Sequence, residues 1–130
     1  MRKSNKCSVI YIASGNTYKL LDVVRKSGFS NFITQVVSEK IIIGNSAGAV
    51  ILGQDISSSN DENIIGLKNT EGLRLVDYLV CPHYSVDKDE RLQNLSRNFN
   101  QKVIGISERS AILIDSNKEE KFGDIKVFEP

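Results

Sequence analysis

The chain has 130 residues, 40% of them hydrophobic and 25% charged, with a net charge of +1. That balance fits one globular domain over residues 1–130 and gives no reason to expect nucleic acid or an acidic membrane as a partner. No apolar run is long enough to span a bilayer, and the stretch after the basic Met1-Arg2-Lys3-Ser4-Asn5-Lys6 is too short and too β-branched for a signal peptide.

Cys7 to Ala13 reads as a first strand, apolar enough to be buried in a parallel sheet. Ser14-Gly15-Asn16-Thr17 breaks it, and Asn16 or Thr17 can cap the helix that follows. Leu20, Leu21 and Val24 recur there at helical spacing, and Gly28 ends the run. A short helix over Ser30 to Val37 and a strand over Ile41 to Gly44 complete a strand–helix–strand unit, which points to an α/β fold. Asp55 to Glu62 is polar and loop-like. Leu73 to Val80 is expected to begin with a helical turn, and Tyr78 to Cys81 to form a strand stopped by Pro82. A helix is expected over Val86 to Phe99 and a strand over Val103 to Ile106. Ala111 to Asp115 and Lys121 to Phe128 are expected to pair antiparallel around a turn at Ser116 to Glu120. Cys7 and Cys81 are far apart and fit a reduced cytoplasmic protein with two ordinary buried thiols.

The chemistry centres on Ile41-Ile42-Ile43-Gly44-Asn45-Ser46-Ala47-Gly48-Ala49-Val50. A β-branched strand runs into Gly-x-Ser-x-Gly and then into an apolar, helix-compatible run, the pattern of a nucleophile elbow. A strained serine needs neighbours with little or no side chain, which Gly44, Ala47 and Gly48 provide. A structural serine in a glycine-rich turn fits the same local pattern. A nucleophilic serine needs a base and a group to orient that base. The chain has one histidine, His83, just after a predicted strand. Parallel sheets present functional groups at such strand ends, and Ser46 lies at another of them. For the orienting acid, Asp61, Glu62, Asp87, Asp89 and Glu108 all stay open. Cys81 and His83 lack the further ligands of a zinc site. There is no Walker loop, and the lone Gly15 falls short of a dinucleotide fingerprint. No metal or cofactor is expected.

Four segments carry a family resemblance: Gly15-Asn16-Thr17-Tyr18-Lys19-Leu20-Leu21, Gly44-Asn45-Ser46-Ala47-Gly48-Ala49, Ser59-Asn60-Asp61 and Pro82-His83-Tyr84. In this order, and with 15 residues from Ser46 to Asp61 and 37 from Ser46 to His83, the chain resembles the peptidase E (alpha-aspartyl dipeptidase) family of serine peptidases, relatives of cyanophycinase. The resemblance implies a three-layer, flavodoxin-like, class I glutamine amidotransferase-like α/β fold with a parallel sheet. It implies a dipeptidase acting on small peptides with an N-terminal Asp, without a cofactor. By the same resemblance Ser46 is the nucleophile, His83 the general base, Asp61 the residue holding the imidazole, and the N–H groups of Gly15 and Ala47 the oxyanion hole. Glu108, in a segment similar to the family's Gly-Leu-x-Glu turn, is a further candidate for orienting the site. Arg91 matches an arginine that can pair with a substrate carboxylate, or is a solvated helix residue.

Two departures set further expectations. The family's glycine run is Ala13-Ser14-Gly15 here. The family's domain also begins with strand–helix units that this chain lacks, which exposes the flank of a strand meant to be buried. The chain is therefore expected to form a homodimer, or to cover that flank with its own N-terminal segment. Light scattering on a size-exclusion column checks this, and a dilution-resistant monomer counts against the dimer. A shortened, non-catalytic binding or assembly module, or a peptidase of isoaspartyl or cyanophycin-type peptides, are the alternative functions.

Overall fold

The structure is a computed structural model that describes residues 6–130; the basic run Met1 to Asn5 lies outside the described residues. Strand β1 (Val9–Ile12) buries Ile10 and Ile12 and exposes Val9 and Tyr11. Helix α1 (Thr17–Lys26) starts on Asn16, whose side chain accepts from the N–H groups of Tyr18 and Lys19 at 3.1 and 3.2 Å. Its buried stripe is Thr17, Leu21 and Val24, while Arg25 and Lys26 complement the carbonyl end. Gly28 (φ 79) takes the left-handed turn into α2 (Phe29–Val36), which buries Ile33. Strand β2 (Ile41–Gly44) then pairs parallel with β1, Val9 opposite Ile41 and Ile12 opposite Gly44.

Helix α3 (Ala47–Val50) is a single turn, far shorter than the apolar run after Ser46 suggests. Its continuation is cut because the carbonyls of Ile51, Leu52, Gly53 and Gln54 accept from the backbone of residues 72–76 instead. The expected helical turn at Leu73 is corrected for the same reason: that segment is irregular, with Arg74 at φ 59, and hydrogen-bonds alongside residues 51–54. The loop before it holds a 3-10 turn, Ile56–Ser58, anchored by buried Ile56 and Ser58.

Strand β3 (Leu79–Pro82) is buried throughout; it starts one residue later than expected and includes Pro82 as its last residue. A 3-10 turn, Val86–Lys88, leads into α4 (Asp89–Phe99), which ends at Asn100 in the left-handed region. Strand β4 (Val103–Ile106) pairs parallel with β3. The C-terminal segment differs from expectation. Strand β5 (Ala111–Asp115) pairs with β6 (Lys118–Phe122) across a two-residue turn whose Ser116 has φ 55. A separate strand, β7 (Ile125–Phe128), runs antiparallel to β4. Gly123 (φ 84) breaks the two apart, and the apolar Ile125, Val127 and Phe128 pack onto the β3–β4 layer.

The architecture is thus α/β with a parallel pair, β1–β2, and a mixed sheet, β3–β4–β7. One core joins β1 to α1, α2 and α3 through Ile12, Leu21, Ile33 and Val50. A second packs Leu79, Cys81, Val103 and Phe128 against Leu92 of α4. Helix α3 lies against both β2 and β3. Among the described residues the β1–β2 pair is covered on one face only: Val9, Tyr11, Ile41 and Ile43 are exposed on the other, whereas parallel sheets are usually covered on both. The self-association expectation rests on a strand edge, and this apolar face is exposed in addition to it. Cys81 is buried but Cys7 is exposed, since it precedes β1, which corrects the expectation of two buried thiols. No helix among the described residues is long and apolar enough to cross a membrane.

One surface tie makes acid stability testable. Asp89 accepts from Lys126 Nζ at 2.6 Å and from the Tyr84 hydroxyl, joining α4 to β7. The Lys126 ammonium first, and then the Tyr84 hydroxyl, hold the Asp89 carboxyl below its ordinary value. A depressed folded pKa stabilises above the ordinary aspartate value of about 3.9 and is lost as pH falls through the folded one. The thermal midpoint should therefore fall below about pH 4, and Asp89→Asn should flatten that part of the profile. Circular dichroism melts from neutral to acid pH check this.

Candidate active site

Ser46 follows β2 with φ 55 and ψ −118, a conformation that ordinary side chains avoid. Close packing holds it there. A Cβ on Gly44 would lie 2.6 Å from the Gly48 carbonyl oxygen, and a Cβ on Gly48 would lie 2.1 Å from that of Ile12. Both glycines are therefore required by contact with backbone. His83 follows β3, also at positive φ (55), and its Nε2 lies 3.1 Å from Ser46 Oγ. Glu108 lies two residues beyond β4, and its carboxylate meets His83 Nδ1. The segments that follow β2, β3 and β4 thus bring serine, imidazole and carboxylate into one line.

The chemistry of the line follows from donor and acceptor roles. An ionised carboxylate only accepts, so Nδ1 carries the ring proton and donates to Glu108. Nε2 then presents its lone pair to Ser46, whose hydroxyl donates to it. The arrangement can remove the Ser46 proton and hold the resulting imidazolium beside a negative charge. His83 and Glu108 side chains are 50% and 72% exposed, so the pair stands on an open shelf.

The other expected residues divide clearly. Asp61 does not meet the imidazole. Its Oδ2 accepts from Thr17 N at 2.8 Å and Thr17 Oγ1 at 2.7 Å, and buried Ser59 donates to Thr17 Oγ1 at 2.7 Å. The position expected for Asp61 is held by Glu108, because β3 and β4 are neighbours in register, Pro82 opposite Ile106. Asp87 and Asp89 bind Ser85 and Tyr84 instead. The Glu62 backbone carbonyl accepts from Asn16 Nδ2 at 2.9 Å. Asp61 and Glu62 thereby tie their loop to the Gly15 turn at the end of β1. Gly15 has φ 146, out of reach of ordinary side chains. Ala47 is the first residue of α3, where an N–H has no intrahelical acceptor. Because α3 is one turn long, these local N–H groups count and a long helix dipole does not. Arg91 is not simply solvated: its Nη2 lies 2.9 Å from Asn60 Oδ1 and 3.6 Å from Cys81 Sγ. Burial pushes the Cys81 thiol pKa up, partly opposed by Arg91.

Thr17, Asn60 and Lys88 were not singled out by sequence as contributors to the site. Thr17 and Asn60 sit inside the quoted motifs, but their partners lie 44 and 22 residues away and become visible only in the fold. Lys88 Nζ donates to the His83 carbonyl.

The model of peptidase family S51 matches residues 2–121. An uncharacterised peptidase of Listeria innocua is 32% identical over 84% of this chain and 56% of its own length. Peptidase E of Shewanella baltica is 33% identical over 88% and 53%. The crystal structure of a protein assigned as a peptidase E from Listeria monocytogenes superposes with TM-score 0.76 at 29% identity, covering 93% of this chain and 62% of that one. The chain spans about half the length of the curated relatives it matches.

Proposed function

The chain belongs to peptidase family S51, and from that membership we propose that it is a serine-type peptidase of small peptides with an N-terminal Asp. The observation that carries the proposal is Ser46 Oγ at 3.1 Å from His83 Nε2, with Glu108 on Nδ1. In this reading Ser46 attacks the scissile carbonyl as His83 takes its proton. The Gly15 and Ala47 N–H groups receive the developing oxyanion. His83 then protonates the leaving amine, and water releases the acyl group by the reverse sequence. Glu108 fixes the ring tautomer and stabilises the imidazolium. Asp61 acts one step away, through Thr17, by holding the Gly15 turn.

The experiment is labelling of the intact chain with a fluorophosphonate, followed by peptide mass mapping. An adduct on Ser46, together with turnover of an aspartyl-p-nitroanilide, is the expected result, and an unlabelled Ser46 overturns the proposal. The exposure of His83 and Glu108 favours one second reading, a non-catalytic binding module. An unlabelled chain would favour it, and preferential cleavage of isoaspartyl peptides would move the substrate class.

Glu108→Gln is expected to lower kcat about 10²-fold while KM changes little, because a neutral amide no longer stabilises the imidazolium. The loss should be smaller than for a buried carboxylate, since solvent already screens this pair. Asp61→Asn should leave the His83 ring proton in place. Steady-state kinetics and proton NMR of the one histidine separate the two carboxylates.

A further inference from the structure

His83 aims its ring from a backbone conformation that few side chains adopt, and something must hold it there. Its φ is 55, and it follows a proline, which has no N–H to anchor it. The two carbonyls that flank His83 are each held by a side chain from elsewhere. Asn60 Nδ2 donates to the Pro82 carbonyl at 2.8 Å, and Lys88 Nζ donates to the His83 carbonyl. Asn60 is itself oriented by Arg91, whose Nη2 donates to Asn60 Oδ1 at 2.9 Å. A guanidinium can only donate, so it requires the amide oxygen on its own side. That leaves the amide NH₂ facing Pro82. The order Arg91, Asn60, Pro82 carbonyl, His83 is thus dictated by donor and acceptor chemistry as well as by distance.

We propose that Asn60 and Arg91 are positioning residues: together they clamp the Pro82–His83 peptide so that Nε2 points at Ser46 Oγ. Fixing the Pro82 carbonyl fixes the plane of the peptide that enters His83, and Glu108 on Nδ1 then sets the direction of the ring. Adjacent residues of one loop then serve opposite sides of the site. Asn60 holds the histidine turn, while Asp61 holds the Gly15 turn through Thr17. The inference gives Arg91 a role other than capture of a substrate carboxylate. It rests on the reading of Ser46 and His83 as a nucleophile–base pair.

The test uses the intact chain and the variants Asn60→Ala, Arg91→Ala, Arg91→Lys and Asn60→Ala/Arg91→Ala. Three quantities are measured: the rate of fluorophosphonate labelling, kcat and KM for an aspartyl-p-nitroanilide, and the ring nitrogen spectrum of His83. Because the chain holds a single histidine, that spectrum needs no assignment. Asn60→Ala and Arg91→Ala are expected to slow labelling and lower kcat about tenfold with KM unchanged, and to shift the ring signals. Arg91→Lys should keep most of the rate, as it still donates to Asn60. The double variant should be no slower than Asn60→Ala, since Arg91 acts through Asn60. A raised KM with an unchanged labelling rate in Arg91→Ala would make Arg91 a substrate ligand and overturn the inference. So would ring spectra that superpose on that of the unaltered chain in both single variants. If the unaltered chain is never labelled but the ring signals still shift in the variants, the nucleophile reading fails and the clamp stands. Circular dichroism checks that each variant is folded, and if an alanine variant is not, Asn60→Asp, which cannot donate to Pro82, takes its place.

Discussion

Ser46→Ala is expected to abolish turnover of an aspartyl-p-nitroanilide, lowering kcat by about 10⁴-fold or more. The magnitude follows from what the substitution removes. Without Oγ there is no atom to attack the carbonyl, and His83 has no proton to take. In the proposed mechanism, what remains is binding and the backbone donors of Gly15 and Ala47, a residual acceleration of about 10³–10⁴-fold over water. The fold should not notice the change. Ser46 makes its side-chain hydrogen bond to His83, alanine is no larger, and the contacts at Gly44 and Gly48 that enforce φ 55 are untouched. The thermal midpoint should therefore stay within a few degrees of the unaltered chain. Activity that survives in a variant proven to be folded would show that some other group is the nucleophile.

Gly48→Ala should produce the largest loss of stability. The new Cβ would sit 2.1 Å from the Ile12 carbonyl oxygen, 2.7 Å from its carbon and 3.0 Å from Ile12 Cγ2. Two of these three neighbours are backbone atoms of β1, so no rotamer change relieves the clash. Either β1 or α3 must move. Overpacking in a core ordinarily costs about 1–3 kcal/mol, and a rigid backbone neighbour places this site at or above the upper end. For a chain of this size that corresponds to a thermal midpoint lower by about 10 °C or more. Activity should fall as well, because α3 carries Ala47 and β1 leads to the Gly15 turn. Differential scanning calorimetry gives the first quantity, and a midpoint equal to that of the unaltered chain would show that the β1–α3 contact yields to an added methyl group. Gly15 offers an instructive contrast. A Cβ there meets nothing within 4 Å, so any cost of substitution comes from its φ of 146 and not from a clash.

Much of this was legible before the fold. The Asn16 cap, the Leu21 and Val24 face of α1 and the Ile41 to Gly44 strand follow from local rules: a side-chain acceptor before a helix, 3.6-residue spacing, and β-branched residues before a glycine. The C-terminal strands were less legible. Lys118, Glu119, Glu120 and Lys121 are poor strand residues by composition, yet they form β6 because a two-residue turn at Ser116 and Asn117 lets them pair with β5. The helix after Ser46 was overread for a related reason. Its apolar residues suit a helix, but a segment 18 to 24 residues further along takes the carbonyls that would extend it.

The sequence by itself determined that a strained serine at a strand end and a single histidine after another strand could share one crevice. Those are consequences of side-chain size and strand polarity, which are local. Which carboxylate meets the histidine was decided only by the tertiary structure. Asp61 and Glu108 both lie in strand-end or loop segments, and nothing in their neighbours distinguishes them. The parallel register of β3 and β4 sets Glu108 beside His83 and leaves Asp61 to Thr17. Register is a property of two strands distant in sequence, so it cannot be read from either one alone. The same holds for Arg91, which sequence could offer only as a substrate ligand or a solvated side chain, and which the fold places on Asn60 behind the histidine turn.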